Sequence, residues 1–166
     1  SLDAPQRVIY AGTFSKALFP ALRCAWLVVP VKQITQFRHQ ASLAPCAVPV
    51  LWQNTLADFL REGHFWRHLK KMRQHYAQRR QWIEQALTQQ GFQVVPQKGG
   101  IQMVIRMIGD DIAHARKANA AGLAVQALSD WRIRSSGEGG LLLSFTNIVN
   151  EAMARQVAQQ LRKALS

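Results

Sequence analysis

The most informative stretch of this chain is residues 9–30, which read Ile9-Tyr-Ala-Gly-Thr-Phe-Ser-Lys-Ala-Leu-Phe-Pro-Ala-Leu-Arg-Cys-Ala-Trp-Leu-Val-Val-Pro30. A short apolar run ends at Gly12, a small polar cluster follows, and a second apolar run precedes Pro30. Apolar runs of this length, bounded by Gly and Pro, predict two buried strands over residues 8–12 and 24–29 with a polar loop between them. Pro30 ends the second strand because its nitrogen has no hydrogen to donate.

The polar loop combines one amine with several groups that bind anions. Lys16 is the amine, and an amine held between apolar walls is disfavoured as an ammonium, which makes it a nucleophile toward carbonyl groups. Thr13, Ser15 and Arg23 are residue types that hold a phosphate. An amine beside phosphate-binding groups suits an aldehyde cofactor with a phosphate tail, and pyridoxal 5′-phosphate (PLP) is that cofactor.

Two motifs resemble one protein family. Thr13-Phe14-Ser15-Lys16, followed by Arg23, resembles the Schiff-base motif of fold-type I PLP-dependent aminotransferases. The wording of residues 12–23 is most similar to the MocR subgroup of GntR-family regulators, as is the later run Glu62-Gly-His-Phe-Trp-Arg-His-Leu-Lys-Lys-Met-Arg-Gln-His-Tyr-Ala-Gln-Arg-Arg80. The resemblance covers nearly the whole chain. Members of that subgroup join a winged-helix DNA-binding domain to an aminotransferase-like domain.

The resemblance implies a role for each residue of the loop. Lys16 is implied as the Schiff-base lysine and, once freed by a substrate amine, as a general base. Arg23 is implied to pair with the cofactor phosphate, and Thr13 to donate a hydroxyl hydrogen bond to it. For Ser15 two interpretations stay open, since its hydroxyl suits either the phosphate or the capping of the turn.

The helical and strand patterns of the remaining chain alternate. Helices are predicted over residues 31–40, 51–61, 64–90, 111–121 and 151–165, and strands over residues 93–95, 101–107, 123–128 and 141–145. The longest helix has an apolar stripe of Phe65, Leu69, Met72, Tyr76, Ile83 and Leu87, with Gly91 at its end. Asp110 or Asp111, and Asn150, are the predicted N-caps of the last two helices.

These patterns and the resemblance together predict an α/β fold. We expect the C-terminal part of a fold-type I PLP-dependent transferase, consisting of the end of the large domain and a small α/β domain. In the small domain an antiparallel or mixed sheet would carry its helices on one face. The predicted division is residues 1–62 for the end of the PLP-binding domain, 63–91 for a linking helix, and 92–166 for the small domain.

Composition and charge narrow the functional classes. The chain has 166 residues, 48% of them hydrophobic, which suits an ordinary globular domain and not a disordered chain. No apolar stretch reaches membrane-spanning length, and Cys24 and Cys46 form no CxxC pair, so we expect a cytoplasmic protein. The net charge of +12 is compatible with a nucleic-acid partner. The basic residues are dispersed along the chain, however, which favours the interpretation that this is a fragment whose positive charge is balanced by residues outside this sequence.

One position departs from the aminotransferase pattern. Many fold-type I enzymes carry Leu-Arg-Leu-Ser-Phe on the last strand, where the arginine binds the α-carboxylate of the substrate. This chain has Leu141-Leu142-Leu143-Ser144-Phe145, so Leu142 occupies the arginine position. Arg132 and Arg134 lie upstream, but solvated loop charges are the favoured interpretation of both. The departure favours a sensor or regulator over a working transaminase.

The spacing of His64 and His68 is that of zinc ligands on a helix, yet no third ligand follows, and surface histidines are the favoured interpretation. No metal site is therefore predicted.

The sequence leads to one expected function and two alternatives. We expect the PLP-binding, aminotransferase-like effector domain of a MocR/GntR-type transcriptional regulator. A small amino compound is the expected effector, DNA is expected to bind only through a winged helix outside this sequence, and the full-length protein is expected to be a homodimer. PLP binding to this part alone is expected to be weak or absent. The alternatives are a catalytically active class I/II aminotransferase and a basic nucleic-acid-binding module acting by itself.

Overall fold

The computed structural model describes residues 7–43, 48–97, 99–133 and 137–166. The chain forms two compact units, Ser1–Lys70 and Lys71–Ser166. Within the described residues, no helix is long and apolar enough to cross a membrane.

The first unit begins with a two-stranded antiparallel sheet. Strand β1 comprises Tyr10–Thr13 and strand β2 comprises Ala25–Val28, with a register that runs from Tyr10↔Val28 to Thr13↔Ala25. The predicted pair of strands is therefore confirmed. The expectation that both strands are buried is wrong for this chain, because Trp26 and Leu27 are 46% and 56% exposed. Burial requires a layer on each face of a sheet, and a two-stranded sheet does not provide it by itself.

Three helices follow. A 3-10 turn at Val31–Gln33 leads into α1, Ile34–Leu43, and the helices α2, Val50–Arg61, and α3, His64–Gln89, come next. Residues 44–47, between α1 and α2, lie outside the described residues. Between α2 and α3, Gly63 has a φ of +73°, a conformation that glycine adopts without steric cost.

Helix α3 is one uninterrupted helix of 26 residues. Ile83, Ala86 and Leu87 are buried near its C-terminal end. The predicted stripe is therefore confirmed there, whereas its N-terminal members Phe65, Leu69, Met72 and Tyr76 are half-buried. The boundary between the two units lies at Lys70–Lys71, inside α3. The three-part division at residues 62 and 91 stays a prediction.

The second unit contains a three-stranded sheet. Its strands are β3, Gln102–Met107, β4, Val125–Ala127, and β5, Gly139–Ser144. Their order is β3-β5-β4 and both pairings are antiparallel, so the mixed alternative does not apply. The strand predicted over residues 93–95 is instead a single bridge between Val94 and Ile105. Pro96 follows at once and has no amide hydrogen with which to continue a ladder.

Two capped helices pack with this sheet. Helix α4 is Asp111–Ala120 and helix α5 is Glu151–Leu165. Asp110 caps α4 by accepting bonds from the amides of residues 112 and 113, and Asn150 caps α5 by accepting from the amide of residue 153. One face of the sheet and the apolar faces of the helices form the core, whose fully buried large side chains are Phe145, Ile83, Leu87, Met103, Ile105, Leu141 and Leu161.

Candidate functional site

The candidate site is the loop between β1 and β2, whose two ends are joined by backbone bonds. The amide of Phe14 donates to the carbonyl of Cys24 at 3.1 Å, which extends the ladder by one bond beyond Thr13↔Ala25. The amide of Leu18 then donates to the carbonyl of Phe14 at 2.8 Å, which closes a tight turn. The turn holds Lys16 near its centre and keeps it next to the end of β1.

Thr13 and Ser15 lie in direct contact. The amide of Ser15 donates to Oγ1 of Thr13 at 3.1 Å, and the two hydroxyl oxygens are 2.9 Å apart. Oγ1 of Thr13 also lies 3.3 Å from the carbonyl oxygen of Cys24. The threonine hydroxyl thus caps the turn, a role that the sequence had left open for Ser15. The Ser15 hydroxyl is therefore not the cap of the turn. Contact between the Ser15 hydroxyl and a phosphate stays a prediction.

Lys16 is exposed to solvent, while its neighbour Ala17 is half-buried. The first unit fixes the backbone of Lys16 but does not bury its amine. The apolar walls that the sequence suggested for this lysine are therefore not formed by the residues the structure describes.

Arg23 has an unusual backbone conformation. Its φ of 50° and ψ of 30° place it in the left-handed region, and among the described residues it is the one non-glycine with positive φ. A side chain in this region costs about 1–2 kcal/mol, so surrounding bonds must hold it. Its amide donates to the carbonyl of Pro20 at 3.3 Å, and the next residue, Cys24, is buried and bonded to Thr13 and Phe14. The guanidinium is exposed, and its meeting with Lys16 across the loop stays a prediction.

Two residues of α3 contact this turn, and sequence reasoning missed both. Nε2 of His68 lies 2.8 Å from the carbonyl oxygen of Ala17. The ring of Phe65 meets that of Phe14 edge-to-face, with the centroids 5.7 Å apart. The second motif contains both residues, but nothing in it indicates which distant backbone atom a histidine will contact.

His64, the other histidine of the zinc-like spacing, has different partners. Its Nε2 lies 2.9 Å from a carboxylate oxygen of Glu62, and its Nδ1 lies 2.8 Å from the guanidinium of Arg67. Across the described part of the chain, no three His, Cys, Asp or Glu side chains gather as metal ligands.

Leu142 lies on β5, opposite Val104 and Gln126 in the register. Because its neighbours Leu141 and Leu143 are buried in the core, Leu142 belongs to the other face of the sheet, where it is half-buried. That face carries an aliphatic group at the position where the resemblance would put a carboxylate-binding arginine. Of the two upstream arginines, Arg132 is half-buried and donates to the carbonyl of Glu138, and Arg134 lies outside the described residues.

Comparison with known proteins assigns the family. The family "Aminotransferase class I and II" matches residues 2–160. The chain belongs to this family. PLP is the cofactor of the family, and the family confirms the fold class predicted from the two motifs.

Similar curated proteins are transcriptional regulators. The chain is 34% identical to the "Probable rhizopine catabolism regulatory protein MocR" of Rhizobium meliloti, over 98% of this chain and 34% of that protein. It is 37% identical to the "HTH-type transcriptional regulator TauR" of Rhodobacter capsulatus, over 60% of this chain and 20% of that protein. The resemblance to MocR-type regulators is thereby confirmed. The chain spans about a third or less of the length of these relatives.

Solved structures agree on the fold. The kynurenine aminotransferase of Pyrococcus horikoshii, solved in complex with PMP, superposes with a TM-score of 0.85. The match covers 99% of this chain and 42% of that protein at 24% identity. This likeness shows that the chain has the fold-type I aminotransferase fold.

Proposed function

We propose that this chain is the PLP-binding, aminotransferase-like effector part of a MocR/GntR-type transcriptional regulator in the cytoplasm. In the whole protein, a winged helix outside this sequence binds DNA, and a small amino compound is the effector. Effector binding at the PLP site shifts the population between conformations of a homodimer, and this shift changes how the winged-helix domain binds DNA.

The observation that carries the proposal is the turn in which Lys16 lies between β1 and β2. Its hydrogen-bonded Thr13 and Ser15 offer two hydroxyl groups, and the chain returns through Arg23 to a residue bonded to Thr13. This set of one amine, two hydroxyls and one guanidinium fits an aldehyde with a phosphate tail. Arg23, Thr13 and Ser15 would hold the phosphate, and Lys16 would bond to the aldehyde carbon. When bound, PLP supplies an electron sink next to the amino group of a substrate.

The exposure of the loop supports weak PLP binding by this part alone. Lys16 and Arg23 are both exposed, so the residues of the first unit hold an anion in open solvent, where charge–charge attraction is screened. By resemblance, the groups that stack on the cofactor ring come from another part of the chain. Tight binding therefore requires the longer protein.

Two observations favour a regulator over a working aminotransferase. The similar curated proteins are regulators, and Leu142 offers a substrate carboxylate no charge at the position where the enzymes carry an arginine. An aliphatic side chain cannot pair with a carboxylate, so an α-amino acid would lose a strong bidentate contact there.

Covalent labelling tests the PLP site. We would incubate the full-length protein with PLP, reduce it with borohydride and map the modified lysine by mass spectrometry. We expect stoichiometric labelling at Lys16, loss of it in Lys16→Ala, and normal labelling in Lys32→Ala, which removes another exposed lysine of the first unit. The 166-residue chain should label only at much higher PLP concentration. Absence of label at Lys16 in the full-length protein would refute the cofactor site.

Activity and DNA binding separate the remaining functions. The regulator predicts a salt-sensitive gel shift from the full-length protein and none from this chain alone. An active aminotransferase predicts amino-group transfer from at least one donor in a wide panel of amino acids. A gel shift from this chain alone would favour the third candidate, a basic nucleic-acid-binding module.

A further inference from the structure

The turn that holds Lys16 is contacted by residues outside the β1–β2 loop. Its own backbone bonds join Phe14 to Cys24 and Leu18 to Phe14. These bonds close the turn at its base, but neither of them engages the carbonyl oxygen of Ala17, the residue directly after the lysine. The contact with Ala17 comes from the first turns of α3, about fifty residues later in the chain.

His68 makes this contact as the donor. A backbone carbonyl oxygen can only accept, so the Nε2 atom of His68, 2.8 Å from the oxygen of Ala17, carries the hydrogen. Both residues are half-buried, and a partly desolvated hydrogen bond holds its geometry better than one that competes with bulk water. The peptide group between Ala17 and Leu18 is thereby held at both ends, through the Leu18 amide that donates to Phe14 and the Ala17 carbonyl that accepts from His68.

Phe65 makes a second contact one helical turn before His68. Its ring packs edge-to-face on Phe14, two residues before the lysine, at an interplanar angle of 76°. Residues three apart in a helix lie on neighbouring positions of one face, so Phe65 and His68 face the turn together. Helix α3 thus contacts the turn on both sides of Lys16. The ring of Phe65 packs on the residue two positions before the lysine, and His68 donates a hydrogen bond to the residue directly after it.

We propose that His68 and Phe65 are positioning residues for Lys16. They hold the backbone of the turn so that the exposed lysine amine points to where the phosphate-binding groups deliver the aldehyde. This inference rests on the proposed function of Lys16 and adds two residues that do not touch the cofactor. A fixed attacking group raises the rate of a bond-forming step because less conformational freedom is lost on the way to the transition state.

The rate of PLP attachment tests the proposal. In this step the lysine nitrogen bonds to the aldehyde carbon and water leaves, and borohydride then delivers hydride to the C=N bond, so that a stable product can be counted by mass. We would measure attachment at a series of PLP concentrations in the full-length protein. We expect His68→Ala to lower the maximal rate roughly five-fold, the factor that one ordinary hydrogen bond is worth. The PLP concentration at half-maximal rate should change less than about two-fold, because the phosphate-binding groups are intact.

Two further variants separate positioning from plain stability. His68→Gln keeps an N–H donor of similar reach and should restore most of the rate. His75→Ala removes an exposed histidine from the same helix and should label like the wild type, with thermal unfolding of all variants measured in parallel. Phe65→Leu keeps apolar volume but loses the ring contact and should slow attachment about three-fold.

The outcomes distinguish two failures. If the wild type labels at Lys16 while folded His68→Ala and Phe65→Leu label just as fast, the positioning role is overturned and the PLP site survives. If His68→Gln is as slow as His68→Ala although both are folded, the hydrogen bond is not the cause, and the proposal again fails. If the wild type itself does not label, the proposed function fails first and this inference fails with it.

Discussion

The two compact units of the chain differ in where their large apolar side chains lie. In the second unit, side chains such as Phe145, Leu141 and Leu161 are no more than 1% exposed and form one core. In the first unit, most large apolar side chains are exposed, and an open groove of about 480 Å³ lies along Leu27 and Phe37. The second unit thus buries many of its own large apolar side chains. The first unit, which carries Lys16, leaves most of its described ones exposed to solvent.

This difference agrees with the proposed function, in which the first unit carries the cofactor site. If the proposed function holds, other parts of a longer protein cover this surface and complete the cofactor site. Substitutions in each unit test this contrast.

The largest effect is expected from Phe145→Ala in the second unit. Phe145 is 1% exposed, and removal of a buried ring leaves a cavity that costs about 3–5 kcal/mol. Urea unfolding of the chain, followed by a far-UV signal, measures the loss. A change below about 1 kcal/mol would mean that the second core is not close-packed and that the contrast between the units is false.

The next effect is expected from Asp111→Asn. The buried Asp111 carboxylate accepts from the amide of Gly140 at 2.8 Å and from the hydroxyl and amide of Ser129 at 3.0 and 3.2 Å. An asparagine amide replaces acceptor capacity with a donor, so we expect a loss of about 1–3 kcal/mol at pH 7. Asp110→Asn is the control, because Asn caps a helix as well as Asp does.

The Asp111 effect also has a defined pH dependence. Burial by itself raises the pKa of this carboxyl, but the Gly140 amide, the Ser129 hydroxyl and amide, and the charge of Arg132 together hold it below the usual 3.8. Above pH 3.8 the carboxyl is ionised in both states and its full contribution is present. As the pH falls through 3.8 toward the lower folded pKa, the unfolded chain takes up the proton first, and the contribution is lost. The stability gap between wild type and Asp111→Asn should therefore narrow in acid, and a constant gap would contradict this assignment.

A smaller and local effect is expected from Gly12→Ala in the first unit. A Cβ on Gly12 would clash with Cζ2 of the cross-strand partner Trp26, so the indole must swing away. Because that ring end can move, the cost should be about 1 kcal/mol and confined to β1 and β2. Amide hydrogen exchange should quicken in those strands and stay unchanged in β3–β5. Gly99→Ala, where a Cβ meets nothing within 4 Å, is the control.

The smallest effect in this chain is expected from Leu27→Ala. Leu27 is 56% exposed, so its truncation should change the stability of the 166-residue chain by no more than about 0.5 kcal/mol. In the full-length protein the loss should exceed about 1 kcal/mol if the first unit is covered there. Ile108→Ala, at a side chain 98% exposed in the second unit, should be neutral in both. Equal, small losses for Leu27→Ala in both proteins would show that its surface stays open.

The elements of the second unit were largely predictable because their signals are local. Asp110 and Asn150 satisfy helix N-termini within three residues, and Gly91 follows the end of α3 with a positive φ. The candidate site was predictable as a set of residue types on one loop. The left-handed backbone of Arg23 was not, because an arginine gives no local sign of it and bonds from Cys24 to the other strand hold it there.

Local sequence patterns predicted most helices and strands of this chain and the loop that carries Lys16, and two motifs predicted its family. These rest on contacts between residues a few positions apart and on an ordered string of residue types. Long-range contacts set the strand order β3-β5-β4, the exposure of β1 and β2 in this chain, and the hydrogen bond from His68 to the turn after the lysine. Each of these depends on which distant surfaces meet, and a local pattern carries no information about its distant partner.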